Sequence, residues 1–280
     1  MSPSLRKRWR VLVAAFRCYR TLGYWPNIEQ PKTFNEKIQY RKFFQSNPLF
    51  SVCSDKIAVR DYVASKIGEE HLIPLLDTLD SPDKLKFDQY GVNYAVKCTH
   101  DSGGVFFVTD DNPNKRTIIK KLKKRLSVDN GLSRDEHWYS DIKPRIIVER
   151  LLAAEDGGLP VDYKFHVFSS LEGARVVLQI DYDRFNGHHR SFYSERGELL
   201  PYGQRRQNKK VAFDRPKKFD QMVSIAKTLA EDFDYARVDL YYAEDKVYFG
   251  ELTFAHSSGF EKFIPSHYDL VWGEYWNIKR

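Results

Sequence analysis

The chain has 280 residues, 42% hydrophobic and 30% charged, with a mean hydropathy of −0.57, the mixture of a soluble globular protein. No uninterrupted apolar run approaches the ~20 residues needed to cross a bilayer, and 15% aromatic residues against only 12 Pro and 15 Gly exclude a disordered tail or a fibrous repeat. Forty-five Lys and Arg against 38 Asp and Glu leave +7, which favours anionic partners: a phosphate, a nucleic acid, an acidic sugar or an anionic membrane face.

Residues 5–22 (LRKRWRVLVAAFRCYRTL) begin like a signal peptide. The apolar stretch 11–16 is short, Arg17 and Arg20 interrupt its continuation, and no small-residue cleavage site follows, so export is not expected. On a helix, Leu5, Trp9, Leu12, Phe16 and Tyr19 form one stripe, with Arg6, Arg10, Arg17 and Arg20 mostly off it. Two readings stay open: a helix docking that stripe on the core, or a basic helix lying on an anionic membrane. Cys18, Cys53 and Cys98 are an odd, widely spaced set without CxxC, neither a disulfide framework nor a zinc site. A reducing cytoplasm fits them best, with the inner membrane face as a peripheral location.

Further along, 35–45 and 55–67 are predicted helices, the second with Asp55 as N-cap. Residues 72–76 are a short strand; 93–98 and 105–109 are two strands joined by a tight turn; 118–126 is a very basic helix. A strand over 145–152, a strand pair at 163–168 and 175–180, and a charged stretch to about 215 follow. A helix at 219–233 and a hairpin of 236–242 with 246–253 complete the pattern. Strands and helices alternate without a βαβ rhythm, which predicts an α+β fold with more than one sheet.

The densest chemistry lies in the hairpin ARVDLYYAEDKVYFGELTF (236–254). Alternation puts Arg237, Asp239 and Tyr241 on one face of the first strand, and Val247, Phe249, Glu251 and Thr253 on one face of the second. A three-residue turn pairing Ala243 with Val247 would set Asp239 opposite Glu251. Facing carboxylates repel unless a cation sits between them, and an all-oxygen set completed by the Thr253 hydroxyl suits magnesium. Arg237 could then reach an anionic group held by that metal. An exposed hairpin with an acidic face is the plainer alternative. In YAVKCTHDSGGVFFV (94–108), Lys97 sits in an apolar strand before a Gly103-Gly104 turn whose backbone can approach a phosphate. A simple hairpin with a polar tip is the competing account, and no P-loop or Rossmann fingerprint is present.

Together with KTFNEKIQYRK (32–42), DKIAVRDYV (55–63), KPRIIVERLL (143–152), DYKFHVF (162–168), DYDRF (181–185) and VYFGELTFAHSSGF (247–260), these segments resemble the ATP-grasp superfamily, and more closely the group named after the teichuronopeptide-biosynthesis protein TupA. The resemblance implies nucleotide held between a small lid and a larger sheet. Residues 1–90 would form a mainly helical region, 91–150 the lid and 151–280 the C-terminal part with the magnesium site. It implies that Lys97 and Lys164 contact phosphates, and that the loop Asp101, Ser102, Gly103 and Gly104 closes over them. Glu149 and the backbone of Arg150 and Leu151 would meet adenine, and Asp162 the ribose. Arg237 would be catalytic, with Asp239, Glu251 and Thr253 on magnesium; Thr253 stands where the family has Asn. Asp183, Arg184, Arg190 and His256 are expected at the substrate. The implied activity is an ADP-forming carboxylate–amine ligase in cell-surface polysaccharide biosynthesis that uses ATP and Mg2+ through an acylphosphate. An ATP-dependent sugar kinase or a glycosyltransferase-like enzyme acting on surface polysaccharide is the alternative enzyme, and a basic membrane- or nucleic-acid-binding module the non-enzyme.

Two other signals compete. Asp181-Tyr182-Asp183 is a DxD of the kind glycosyltransferases use, but the chain's Asp content yields such triplets by chance. The basic run 115–125 lacks interleaved aromatic residues, so a solvated helix face is expected there rather than a nucleic-acid site.

Overall fold

The computed structural model describes residues 2–101, 103–109, 114–155, 157–170, 172–182, 189–204 and 211–278. In chain order its elements are α1 (Pro3–Leu22), α2 (Phe34–Phe44), α3 (Pro48–Ser54), α4 (Val59–Ile67), β1 (Leu75–Leu79), β2 (Tyr94–Cys98), β3 (Val105–Val108), α5 (Lys115–Leu126), α6 (Asn130–Arg134) and β4 (Ile146–Arg150). They continue as β5 (Asp162–Ser170), β6 (Gly173–Tyr182), β7 (His189–Ser194), β8 (Gly203–Gln204), α7 (Phe219–Ala230), β9 (Tyr235–Ala243), β10 (Lys246–Thr253), β11 (Phe263–Ile264) and α8 (Tyr268–Tyr275).

The α+β expectation is met. One sheet has the order β1-β4-β2-β3 and another β10-β9-β5-β6-β7, and the pairings seen in both are antiparallel. The chain divides into two compact units: 1–46 with 161–241 and 252–280, and 47–160 with 242–251. This differs from three consecutive segments, and the cause is pairing. β1 pairs with β4, which draws 47–90 into the smaller unit, whereas α2 packs on α8 and on the turn His256–Gly259 in the larger one.

Local signals set the helix ends. Thr33 and Glu36 form a reciprocal capping box at the start of α2, and Glu36 also accepts from the backbone of Asn27 and Lys32. α1 begins at a Ser2 cap and stops at Gly23, whose φ of 91° is open to glycine at no steric cost. Asp55 does not cap α4. It follows the C-terminus of α3 and its carboxylate accepts the Ile57 N–H, so α4 starts only at Val59. β7 lies inside the stretch read only as charged.

Phe34 centres the larger unit's core, with ring centroids 5.1 Å from Tyr235, 5.2 Å from Trp272 and 6.2 Å from Phe263. The smaller unit buries Leu85, Phe87, Tyr94, Val96, Ile146 and Val148 against Ile118 and Leu122 of α5. The other, basic side of α5 carries exposed Lys120 and Lys123, the solvated face that its composition suggests. Arg41 of α2 is fully buried and pairs with Asp234, donates to the carbonyls of Tyr235 and Phe254 at 2.9 Å each, and lies 4.3 Å from the Trp276 ring centroid. Removing such a cation strands a buried carboxylate. Arg41→Ala is expected to cost about 3–5 kcal/mol of unfolding free energy, measured by chemical denaturation.

Candidate active site

In the smaller unit the lysine strand and the glutamate strand lie side by side. Ala95 is paired with Glu149 and Lys97 with Ile147, so Lys97 and Glu149 are diagonal neighbours on one face. Lys97 Nζ donates to Glu149 Oε2 at 2.8 Å, and Arg60 Nη1 reaches Glu149 Oε1 at 3.3 Å. Lys56, Arg60, Lys97 and Glu149 line a cavity of about 20 Å³ with Ile73 and Phe249. Burial pulls the Lys56 ammonium below its usual range; Glu251 is the largest charge opposing that, and Lys97 adds to it. Lys56 also donates to the Asp101 carbonyl. Lys56 and Arg60 were not picked out in the sequence. Their signal was present in DKIAVRDYV, where two cations four residues apart flank an apolar set, but such pairs usually face solvent.

The glycine-rich turn follows β2. Asp101 is buried and its carboxylate pairs with Arg125 of α5. A Cβ on Gly104 would come within 2.4 Å of that carboxylate, so a larger residue there would push the Asp101–Arg125 pair aside; Gly103 has a φ of 82°, a backbone conformation that favours glycine. Ser102 lies outside the described residues. At the end of β4, the Arg150 N–H donates to the Pro74 carbonyl and the Leu151 N–H to that of Asn93, so both are already engaged. The Arg150 side chain forms a two-pronged pair with Glu244 at 2.8 and 2.9 Å.

The hairpin turn is two residues, Glu244 and Asp245, both left-handed at φ 53° and 54°. A three-residue turn was expected. Ala243 therefore ends β9 immediately before the turn and Lys246, not Val247, opens β10. The turn argument for setting Asp239 opposite Glu251 loses its premise. Glu251 and Thr253 are half-buried on β10.

In the larger unit, Lys164 of β5 is directly paired with Asp239 of β9. Its ammonium donates to Asp239 Oδ2 at 2.8 Å and to Asp162, two residues away on the same face. Arg237 grips the same carboxylate, Nε to Oδ1 at 2.7 Å and Nη2 to Oδ2 at 2.8 Å. Burial alone would raise the Asp239 pKa, but Arg237 and Lys164 together hold it below the usual carboxylate range. Arg237 Nη1 donates to His256 Nδ1 at 3.1 Å, which leaves His256 Nε2 to donate to Gln204 Oε1 at 3.2 Å. Gln204 Oε1 also accepts from Arg190 Nη1 at 2.8 Å, and Arg190 Nε donates to Asp181 Oδ1 at 2.7 Å. Gln179 joins Asp181 to His166, whose other ring nitrogen meets the Tyr235 hydroxyl at 2.9 Å.

A continuous polar chain thus crosses the buried face of the sheet from Asp162 to Asp181. Arg190, expected to meet an acidic substrate, has its charge balanced by Asp181; Asp181 is likewise committed, which weakens a DxD reading. His256 is 1% exposed and touches Arg237, so it orients that guanidinium. Asp183 and Arg184 fall outside the described residues.

A family model described as TupA-like ATPgrasp matches residues 36–277. The chain belongs to that family. No curated protein sequence matches it. Among solved structures it is similar to phosphoribosylamine–glycine ligase from Thermotoga maritima, at 13% identity and TM-score 0.41, over 72% of this chain and 48% of that one. D-alanine–D-alanine ligase from Bacillus anthracis complexed with ATP matches at 15% identity and TM-score 0.40, over 72% and 55%. N5-carboxyaminoimidazole ribonucleotide synthetase from Thermus thermophilus matches at 11% and 0.42, over 74% and 46%. The chain spans about half the length of these proteins. Among the described residues no helix is long and apolar enough to cross a membrane.

Burial, then Arg237, depresses His166 to about 3, and burial with His166 and Arg237 keeps His256 well below its usual range. Both histidines are therefore neutral when folded and take up protons on unfolding below about pH 6.5. Stability is full above that pH and falls on acidification towards pH 3, by about 1.4 kcal/mol per pH unit per histidine. Unfolding titrations from pH 7 to 4 should show this slope, and His166→Asn should reduce it by about half.

Proposed function

We propose that this family member is an ATP-dependent, magnesium-requiring ligase that joins a carboxylate to an amine, in cell-surface polysaccharide biosynthesis. The observation that carries the reading is the cluster Lys164–Asp239–Arg237, in which three polar residues of the matched segments meet on one buried sheet face. A bound nucleotide would supply the γ-phosphoryl that turns a carboxylate into an acylphosphate with ADP as the leaving group; an amine would then attack the acyl carbon, losing a proton and expelling phosphate. Lys164 spends two of its three N–H donors on Asp162 and Asp239, which fixes the ammonium at a place where a phosphate oxygen can take the third. Arg237, held by Asp239 and His256, presents a rigid guanidinium that neutralises charge developing on the transferring group. In the smaller unit, Lys97 and the loop Asp101–Gly104 would contact phosphates, and Glu149 the nucleotide.

The donor set for magnesium is chemically suitable: the carboxylates of Asp239 and Glu251 and the hydroxyl of Thr253 are hard oxygens. Asp239 already carries two cationic partners, however, so a bare dication would meet like charge there. The ion is therefore expected to bind together with its phosphates; when bound it would neutralise phosphate charge and orient the γ-phosphoryl.

This reading predicts that MgATP raises the melting temperature while Mg2+ alone does not, and that Asp239→Asn and Lys97→Met each reduce the MgATP shift. Should neither MgATP nor ATP shift wild type, nucleotide binding is wrong. ADP release should require both a uronic acid and an amine; a phosphorylated sugar formed without amine would make the protein a kinase.

A further inference from the structure

α1 meets its own unit through small side chains. Ala14, Ala15, Cys18 and Leu22 are buried, with Ala14 and Ala15 packed beside Ile28, Val11 and Phe43. At 100° per residue, these positions lie on the side of the helix away from Leu5, Trp9, Leu12, Phe16 and Tyr19. The amphipathic stripe seen in the sequence is therefore not the face that docks. Those five side chains are between 52% and 58% exposed, and Trp25, whose ring lies 6.2 Å from Tyr19, extends the patch at 57%. Single exposed apolar residues are ordinary, but an unbroken row of five large ones, three of them aromatic, calls for a partner.

The charge around the row restricts that partner. Arg6, Lys7, Arg8, Arg10, Arg17 and Arg20 lie on the same helix, and no acidic residue occurs before Glu29. Arg6, Arg17 and Arg20 are exposed and border the stripe along one side, with exposed Arg8 on the other. The occupant must accept large apolar side chains and supply negative charge over the length of about four helical turns. A second copy of the chain would bring the six cations of its own helix against these six, and the helix itself contains no acid to meet them. A bilayer with anionic headgroups offers both properties at once: aromatic residues sit at the headgroup level, and cations reach the phosphates.

We propose that α1 is an interfacial anchor, seating Leu5, Trp9, Leu12, Phe16 and Tyr19 in the outer layer of an anionic membrane while Ala14, Ala15 and Cys18 keep it fastened to the protein. The inference does not depend on the ligase reading. Both faces have work to do, which explains why a helix with so strong a stripe buries small residues instead. Such an anchor would hold the folded chain at a membrane surface through one face of a single helix.

The test is co-sedimentation of the full chain with vesicles of phosphatidylcholine alone and of equal parts phosphatidylcholine and phosphatidylglycerol. The anionic vesicles are expected to bind at least about 10-fold better, with the advantage shrinking as salt is raised. The triple substitution Trp9→Ser, Leu12→Ser, Phe16→Ser should lower binding on the order of 10-fold or more, and Arg6→Gln with Arg20→Gln several-fold, with melting temperature unchanged in both. Equal binding to both vesicles, or binding that survives the triple substitution, overturns the anchor. So does a dimer in sedimentation velocity that the triple substitution dissociates without any vesicle binding, since a second copy then covers the stripe.

Discussion

A charge placed on the buried face of a sheet must be matched there, because water cannot reach it. Lys164 creates that condition in the larger unit. Its ammonium is met by Asp162 and Asp239, Asp239 in turn by Arg237, and Arg237 by the neutral ring of His256. Each partner then needs its own, and the chain closes only at Asp181 and Arg190 on the far strands. The same requirement keeps His166 and His256 unprotonated, since another positive charge beside Arg237 would have no counterpart.

Rigid support for this face comes from outside it. Arg41 joins α2 to the start of β9 and to Phe254, just beyond β10, while its guanidinium faces the Trp276 ring. Asp269 accepts the Asn35 backbone N–H at 3.0 Å and the Tyr24 hydroxyl at 2.8 Å, tying α8 to the entry of α2. Burial lifts the Asp269 carboxyl above its usual range despite these donors. The smaller unit matches its buried charges in the same way: Lys56, Arg60 and Lys97 gather near Glu149, and Glu251 offsets the burial of the Lys56 ammonium.

Much of the fold was legible because its signals are local. The alternation in β9 and the glycine turn at 103 and 104 each depend on neighbours within a few residues. Errors arose where one backbone angle or one distant partner decides. Glu244 and Asp245 adopt left-handed conformations that glycine or asparagine would have announced, so the turn was read one residue too long. Asp55 offered a cap but binds Ile57 in a turn before α4. Arg190 and His256 looked available to a substrate because their partners, Asp181, Gln204 and Arg237, come from other strands.

By itself the sequence determined the family and an α+β class with more than one sheet, and it set which candidate residues share a strand face, since alternation and motif order are properties of the chain. Only the tertiary structure decided which charges are spent on one another. Lys97 on Glu149, Lys164 on Asp239 and Arg190 on Asp181 are cross-strand pairings, and register is set by sheet assembly rather than by spacing. It also decided which side of α1 faces inward. A helical pattern reveals that one stripe is apolar, but not which side the protein covers; in α1 the buried side is the one that carries Ala14, Ala15 and Cys18, and the stripe stays exposed.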